Sequence, residues 1–192
     1  MLACFSPFPP LPATGTSFYF KVNGVPVWLK GANSVPFSNF AGAVSDANVT
    51  SVLRALVQAG GNTLRVWGGG LYQRDAMYDF ADSAGLLVWS EFAFACSMYP
   101  RDDAFLQLVR QEVAYQTRRL GGHPSILVFG GNNENEMELA GWDQTKENRD
   151  LYLVSHNNTY IHATGKCLAR HSAVLMLSAV RLFAGGLRET VH

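Results

Sequence analysis

A dry run, Ser125-Ile-Leu-Val-Phe129, passes into Gly130-Gly131 and then into Asn132-Asn-Glu-Asn-Glu136. Few folds accommodate that order. An unbroken apolar run suits a strand covered on both faces, as in a parallel sheet wrapped by helices. The glycines let the backbone turn tightly as the strand ends. The amides and carboxylates that follow are then presented at the strand's C-terminal end, where the active sites of parallel α/β folds lie. Read from spacing alone, the same residues could equally be a solvated loop capping a helix with Glu138 in its first turn.

The rest of the chain alternates strand and helix. Phe18 to Phe20 and Val25 to Leu29 flank Asn23-Gly24, a dipeptide suited to the type I′ turn of a hairpin. The second arm is expected to continue through Val27-Trp28-Leu29 to Lys30-Gly31-Ala32-Asn33 as the first strand of the main sheet. Ser45 offers an N-cap for a helix to about Ala59, with Val49, Val52, Leu53, Leu56 and Val57 on one stripe and Gly60-Gly61 as its stop. Thr63 to Trp67 is the second strand, closed by Gly68-Gly69-Gly70. A helix over Asp75 to Ala84, ended by Gly85, buries Met77, Tyr78, Phe80 and Ala81.

Leu86 to Trp89 is the third strand and opens into Ser90-Glu91. A long helix, capped by Asp102 or Asp103, runs to about Leu120 with Phe105, Leu108, Val109, Val113 and Tyr115 for packing. The Gly121-Gly122-His123-Pro124 break precedes the fourth strand, and His123 reads as structural. Beyond Asp150 the pattern degrades; Val174 to Ala184 suits one more amphipathic helix. Short turns between alternating elements argue for βα units. An open doubly wound sheet and a (β/α)₈ barrel both begin this way, and patterning does not separate them.

Composition narrows the function classes. The 192 residues carry 15 basic and 15 acidic side chains, which gives no global electrostatic case for nucleic acid or an anionic membrane. No apolar stretch reaches the length of a membrane span. Cys4, Cys96 and Cys167 are too scattered for a disulfide framework or a zinc site, and Cys96 is expected as a buried small hydrophobe. Met1 to Pro12, apolar, proline-rich and without a basic start, makes a poor signal peptide. Asn48-Val-Thr50 and Asn157-Asn-Thr159 have the form of N-glycosylation acceptors. Gly68-Gly69-Gly70 follows a strand but lacks the spacing and the lysine of a phosphate loop.

Several separated motifs then fall together: Phe18-Tyr-Phe-Lys-Val-Asn-Gly-Val-Pro-Val27, Lys30-Gly-Ala-Asn33, Asn62-Thr-Leu-Arg-Val-Trp-Gly-Gly-Gly70, Phe92-Ala-Phe-Ala-Cys96, His123-Pro-Ser125 and Gly131-Asn-Asn-Glu-Asn-Glu136. In this order, over Ser17 to Trp142, the chain resembles the first half of the catalytic domain of the β-mannosidases, in glycoside hydrolase family 2. Arg65-Val-Trp-Gly-Gly-Gly70 with Gly131-Asn-Asn-Glu134 points to that branch rather than to the β-glucuronidases or β-galactosidases. The resemblance implies an α/β chain forming part of a (β/α)₈ TIM barrel, its first four βα units, preceded by a short β-hairpin. Residues 1–16 would be a linker-like start, 17–150 the half barrel and 151–192 a divergent tail. A chain with four such units would also expose an unpaired strand edge.

The implied reaction removes terminal non-reducing β-D-mannose, as in the β-mannosides of glycoprotein N-glycans, by a retaining mechanism with two carboxylates. No cofactor or metal is implied; a lysosomal location is. Glu134 matches the family's acid/base, and partial burial beside Glu91 and Glu136 would suit it to give and then take a proton. Asn133 would hydrogen-bond the sugar 2-hydroxyl. Arg65 matches the arginine that orients the nucleophile. Trp67 would form either a sugar-stacking wall or part of the core, and Glu91 and Asn33 would line the pocket. The family's nucleophile lies at the end of the seventh strand, which the resemblance does not reach. Where the family has Asn-Trp, the first strand here ends Asn33-Ser34.

Overall fold

The computed structural model describes residues 2–5, 18–97, 99–100, 102–135 and 176–177. Two sheets account for its strands. In the first, β1 (Leu2–Phe5), β2 (Phe18–Val22) and β3 (Val25–Val27) pair antiparallel in that order. Asn23 and Gly24, at φ 51° and 82°, form the tight turn between β2 and β3; two left-handed residues in succession match the hairpin's twist. Leu2–Phe5 therefore corrects, for those four residues, the expectation of a linker-like start.

The second sheet is parallel: β4 (Gly31–Ser34), β5 (Thr63–Val66), β6 (Leu87–Glu91), β7 (Ile126–Gly130) and β8 (Met176–Leu177), in that spatial order. Helices α1 (Asp46–Gln58), α2 (Asp75–Ala84) and α3 (Asp103–Leu120) connect β4 through β7. Each begins and ends where the sequence signals place it. Ser45 accepts a hydrogen bond from the Asn48 N–H and Asp102 from the Phe105 N–H, each satisfying an amide that the first helical turn leaves open. Gly85 closes α2 at φ 69°.

The expected single strand from Val25 to Asn33 is two strands in two sheets. The Asn62 side chain explains the break. Its amide nitrogen donates to the Trp28 carbonyl while its oxygen accepts from the Lys30 N–H, so the chain is gripped on both sides of Leu29 and swung out of the hairpin. The Lys30 carbonyl then takes the Asn62 and Thr63 N–H groups, which starts the pairing of β4 with β5.

The larger core lies between sheet and helices. Leu64, Val66 and Val88 from the strands meet Val49, Leu53, Met77, Tyr78, Ala81, Val109 and Val113 from the helices. On the other face, Phe20 of the hairpin packs with Leu127, Val128 and Trp89. All five residues of β7 are buried, as a strand covered on both sides requires. Some stripe positions differ from expectation: Val52, Leu108 and Tyr115 are exposed, and Leu106, Gln116 and Thr117 are buried instead. Their placement follows where α1 and α3 lie on the sheet, which helical periodicity alone does not give.

His123 is structural, as its position before Pro124 suggests. Its Nδ1 lies 2.6 Å from an Asp82 oxygen, and the other Asp82 oxygen accepts from the Ser125 N–H, which ties the end of α2 to the start of β7. Met176–Leu177 pairs with Phe129–Gly130 as a strand rather than as part of the expected helix over Val174 to Ala184; the remainder of that segment lies outside the described residues. No helix among the described residues is long and apolar enough to cross a membrane.

Candidate active site

The C-terminal ends of β4 to β7 carry the polar residues singled out by sequence. In β5, Leu64 and Val66 enter the helix-side core, so strand alternation turns Arg65 to the opposite face. Asn33 lies directly across from it in β4. The Arg65 guanidinium gathers the site. Its Nε and Nη2 donate to Glu91 Oε1 at 2.9 and 2.7 Å, its Nη1 to Asn33 Oδ1 at 3.1 Å, and its Nη2 to Asn133 Oδ1 at 2.6 Å. One planar cation thus joins side chains from β4, β6 and the segment after β7.

Glu91 is 2% exposed. Burial pushes its carboxyl up; the Gly68 N–H and Arg65 pull the other way, the Glu134 charge adds to the rise, and the balance leaves it raised. Its second oxygen accepts from the Gly68 N–H at 2.9 Å, so both oxygens are engaged. Gly130 makes room for it: a Cβ there would stand 2.8 Å from Glu91 Cγ and 3.0 Å from Trp89 Nε1. The glycine after the dry strand thus admits a buried carboxylate as well as ending a strand.

Past β7 the sheet continues for one bridge, Ala95 to Asn133. Asn133 donates its N–H to Phe94 and receives that of Cys96 on its carbonyl. Its side chain is buried, with its oxygen on Arg65 and its amide nitrogen 3.3 Å from Cys96 Sγ. Glu134, the next residue, is exposed, and its Oε2 lies 3.5 Å from the same sulfur. Cys96 and Glu134 both have positive φ, 45° and 59°, at a cost of about 1 kcal/mol or more each for a residue with a Cβ.

Asn33, Arg65, Glu91, Asn133 and Glu134 therefore lie together at one end of the sheet. Trp67 lies at the same strand end, half-buried, with its indole over the Gly69 backbone and outside the hydrogen-bonded cluster. Two expectations change. Glu134 is exposed rather than part-buried, because the left-handed turn carries it past the strand end; Glu136 lies outside the described residues. Cys96 is exposed and lines the site rather than the core. The signal for it was present in Phe92-Ala-Phe-Ala-Cys96, but a cysteine after an aromatic run reads first as apolar filling.

No family model matches the chain. It is 46% identical over 148 residues to the β-mannosidase of Bos taurus, a match covering 77% of this chain and 16% of that protein. The chain is a β-mannosidase homologue. A probable β-mannosidase of Caenorhabditis elegans is 42% identical over 134 residues, 69% of this chain and 15% of that one. The crystal structure of a β-D-mannosidase from Dictyoglomus thermophilum superposes with a TM-score of 0.76 at 34% identity, covering 91% of this homologue and 21% of that chain. The homologue thus spans about one sixth of the length of the bovine protein it matches.

Proposed function

We propose that this β-mannosidase homologue supplies the acid/base half of a retaining β-mannoside hydrolase site, with Glu134 as the proton donor. The observation that carries the reading is the joining of Asn133, next to Glu134, with Asn33, Arg65 and Glu91 at the C-terminal end of a parallel sheet. An exposed carboxyl group there can reach a glycosidic oxygen, protonate it in its acid form as the bond to the anomeric carbon breaks, and then, as the carboxylate, take a proton from the water that completes hydrolysis. Asn133, whose amide is oriented by Arg65, would meet the sugar 2-hydroxyl. Trp67 would form a wall for the sugar face, with Asn33 and Glu91 bordering the pocket.

Strand order supports a (β/α)₈ setting. From β4 to β7 it rises monotonically, with no reversal of the kind that marks a doubly wound sheet. Right-handed crossovers in that order put all three helices on one face. The substrate class proposed is terminal β-D-mannose of glycoprotein N-glycans, and the compartment the lysosome; what the relatives' name supports is the β-mannoside linkage.

Hydrolysis of β-mannosides with good and poor leaving groups tests the acid/base role. Glu134→Gln should cost on the order of 10² or more with an alkyl aglycone and far less with a dinitrophenyl one, which leaves without protonation. Equal losses on both would remove Glu134 from that role. A second reading, sugar binding without turnover, is favoured by Glu91: both its oxygens are held, so it is not placed to attack as a nucleophile. Turnover by the 192-residue chain, abolished by Glu134→Ala, would exclude it.

A further inference from the structure

We propose that Cys96 is a positioning residue for the acid/base pair, its thiol accepting a hydrogen bond from Asn133 and donating one to Glu134. The proposal rests on the reading of Glu134 as the proton donor and adds to it the group that sets its direction. Cys96 Sγ lies 3.3 Å from Asn133 Nδ2 and 3.5 Å from Glu134 Oε2, both ordinary separations for hydrogen bonds to sulfur. The polarity of the chain is set from the other end. Arg65 holds Asn133 Oδ1, which leaves the amide nitrogen to face the sulfur. An amide N–H pointing at sulfur occupies its acceptor side, so the S–H is left to point at the carboxylate.

The backbone is arranged for the same purpose. Ala95 and Asn133 form the sheet's last bridge, where the Cys96 N–H donates to the Asn133 carbonyl, and the residues that follow the bridged pair, Cys96 and Glu134, each take the left-handed conformation. Two such residues, neither of them glycine, on adjoining segments mark a placement held against local preference. An exposed glutamate on a turn would otherwise sample several rotamers. A weak donor suits this place, because a glutamate that must alternate between acid and base would be held in one state by a strong cation. Glu134 is the ionisable group in contact with the thiol, and Arg65 and Glu91 join the same cluster through Asn133.

The test reads the thiol directly. Alkylation of Cys96 by iodoacetamide, followed by peptide mass spectrometry to separate it from Cys4 and Cys167, proceeds through the thiolate. A carboxylate 3.5 Å away disfavours that thiolate. Glu134→Gln should therefore raise the rate at neutral pH on the order of fivefold and move the rate-against-pH inflection down. Glu134→Ala should do the same, so the result does not depend on one variant. Unchanged inflections in both would overturn the proposal.

In the activity arm, Cys96→Ala should lower kcat/KM on the order of tenfold for an alkyl β-mannoside and little for a dinitrophenyl one, with Cys96→Ser restoring most of it. A purely structural role would lower both substrates alike, which also counts against the proposal. Azide rescue of Glu134→Ala tests the acid/base reading separately. Without rescue that reading fails, whereas the alkylation result concerns the thiol–carboxylate contact alone.

Discussion

Replacing Arg65 by methionine should expose how much the site depends on one cation. The substitution keeps most of the apolar stem and removes the hydrogen bonds to Glu91, Asn33 and Asn133. Glu91, whose side chain is 1% exposed, is left with the Gly68 N–H. Breaking a buried ion pair by removing one partner costs about 3–5 kcal/mol. The Arg65 side chain is 30% exposed, so part of its attraction is already screened and about 2–4 kcal/mol is the better expectation.

The sign with pH follows from Glu91. Burial raises its carboxyl above the ordinary value, so the stability it contributes is present in full below that value and is lost as pH rises through the folded pKa. Removing Arg65 raises that pKa further, which makes the loss smaller at pH 5 than at pH 8. Urea denaturation at both pH values reads the difference, as a midpoint about 1–2 M lower at pH 8. Arg65→Met with Glu91→Met should recover most of it, since no charge is then left buried. Equal losses at the two pH values, or a double variant no better than the single one, would refute the reasoning.

Gly130→Ala should destabilise by about 1–3 kcal/mol by crowding Glu91 Cγ at 2.8 Å, and clearly less in a Glu91→Ala background, as thermal denaturation of the four variants would show. At Asp82, burial acts to raise the carboxyl but hydrogen bonds from Ser125 and His123 outweigh it and leave it lowered. Its contribution is therefore present above the ordinary carboxylate value and lost as pH falls through the folded pKa. Asp82→Asn should be less stable than the parent at pH 7 in denaturant titrations, with the difference shrinking as pH falls. Asn62→Ala removes the grip on Trp28 and Lys30, and limited proteolysis should then cut between them at least several-fold faster.

Local chemistry made much of the architecture legible. Ser45, Asp102 and Gly85 fall where helix ends need them, and Asn23-Gly24 forms the turn that its backbone freedom suits. The strand break at Trp28 to Lys30 was hidden, because it depends on Asn62, more than 30 residues away along the chain. Helix stripes were read in period but not in rotation, so Leu108 appeared inward and Leu106 did not. At the site, Arg65 and Asn133 stood out as polar groups next to apolar strand residues. Cys96 did not, since its role comes from a left-handed turn that places it opposite Glu134.

The amide of Asn62 joins two sheets by giving at Trp28 and taking at Lys30. Hydrolysis of that amide to a carboxylate would set a negative oxygen against a carbonyl and turn a clasp into a repulsion. The seam between hairpin and parallel sheet is thus a place where slow chemical ageing, with no mutation, could unfasten this fold.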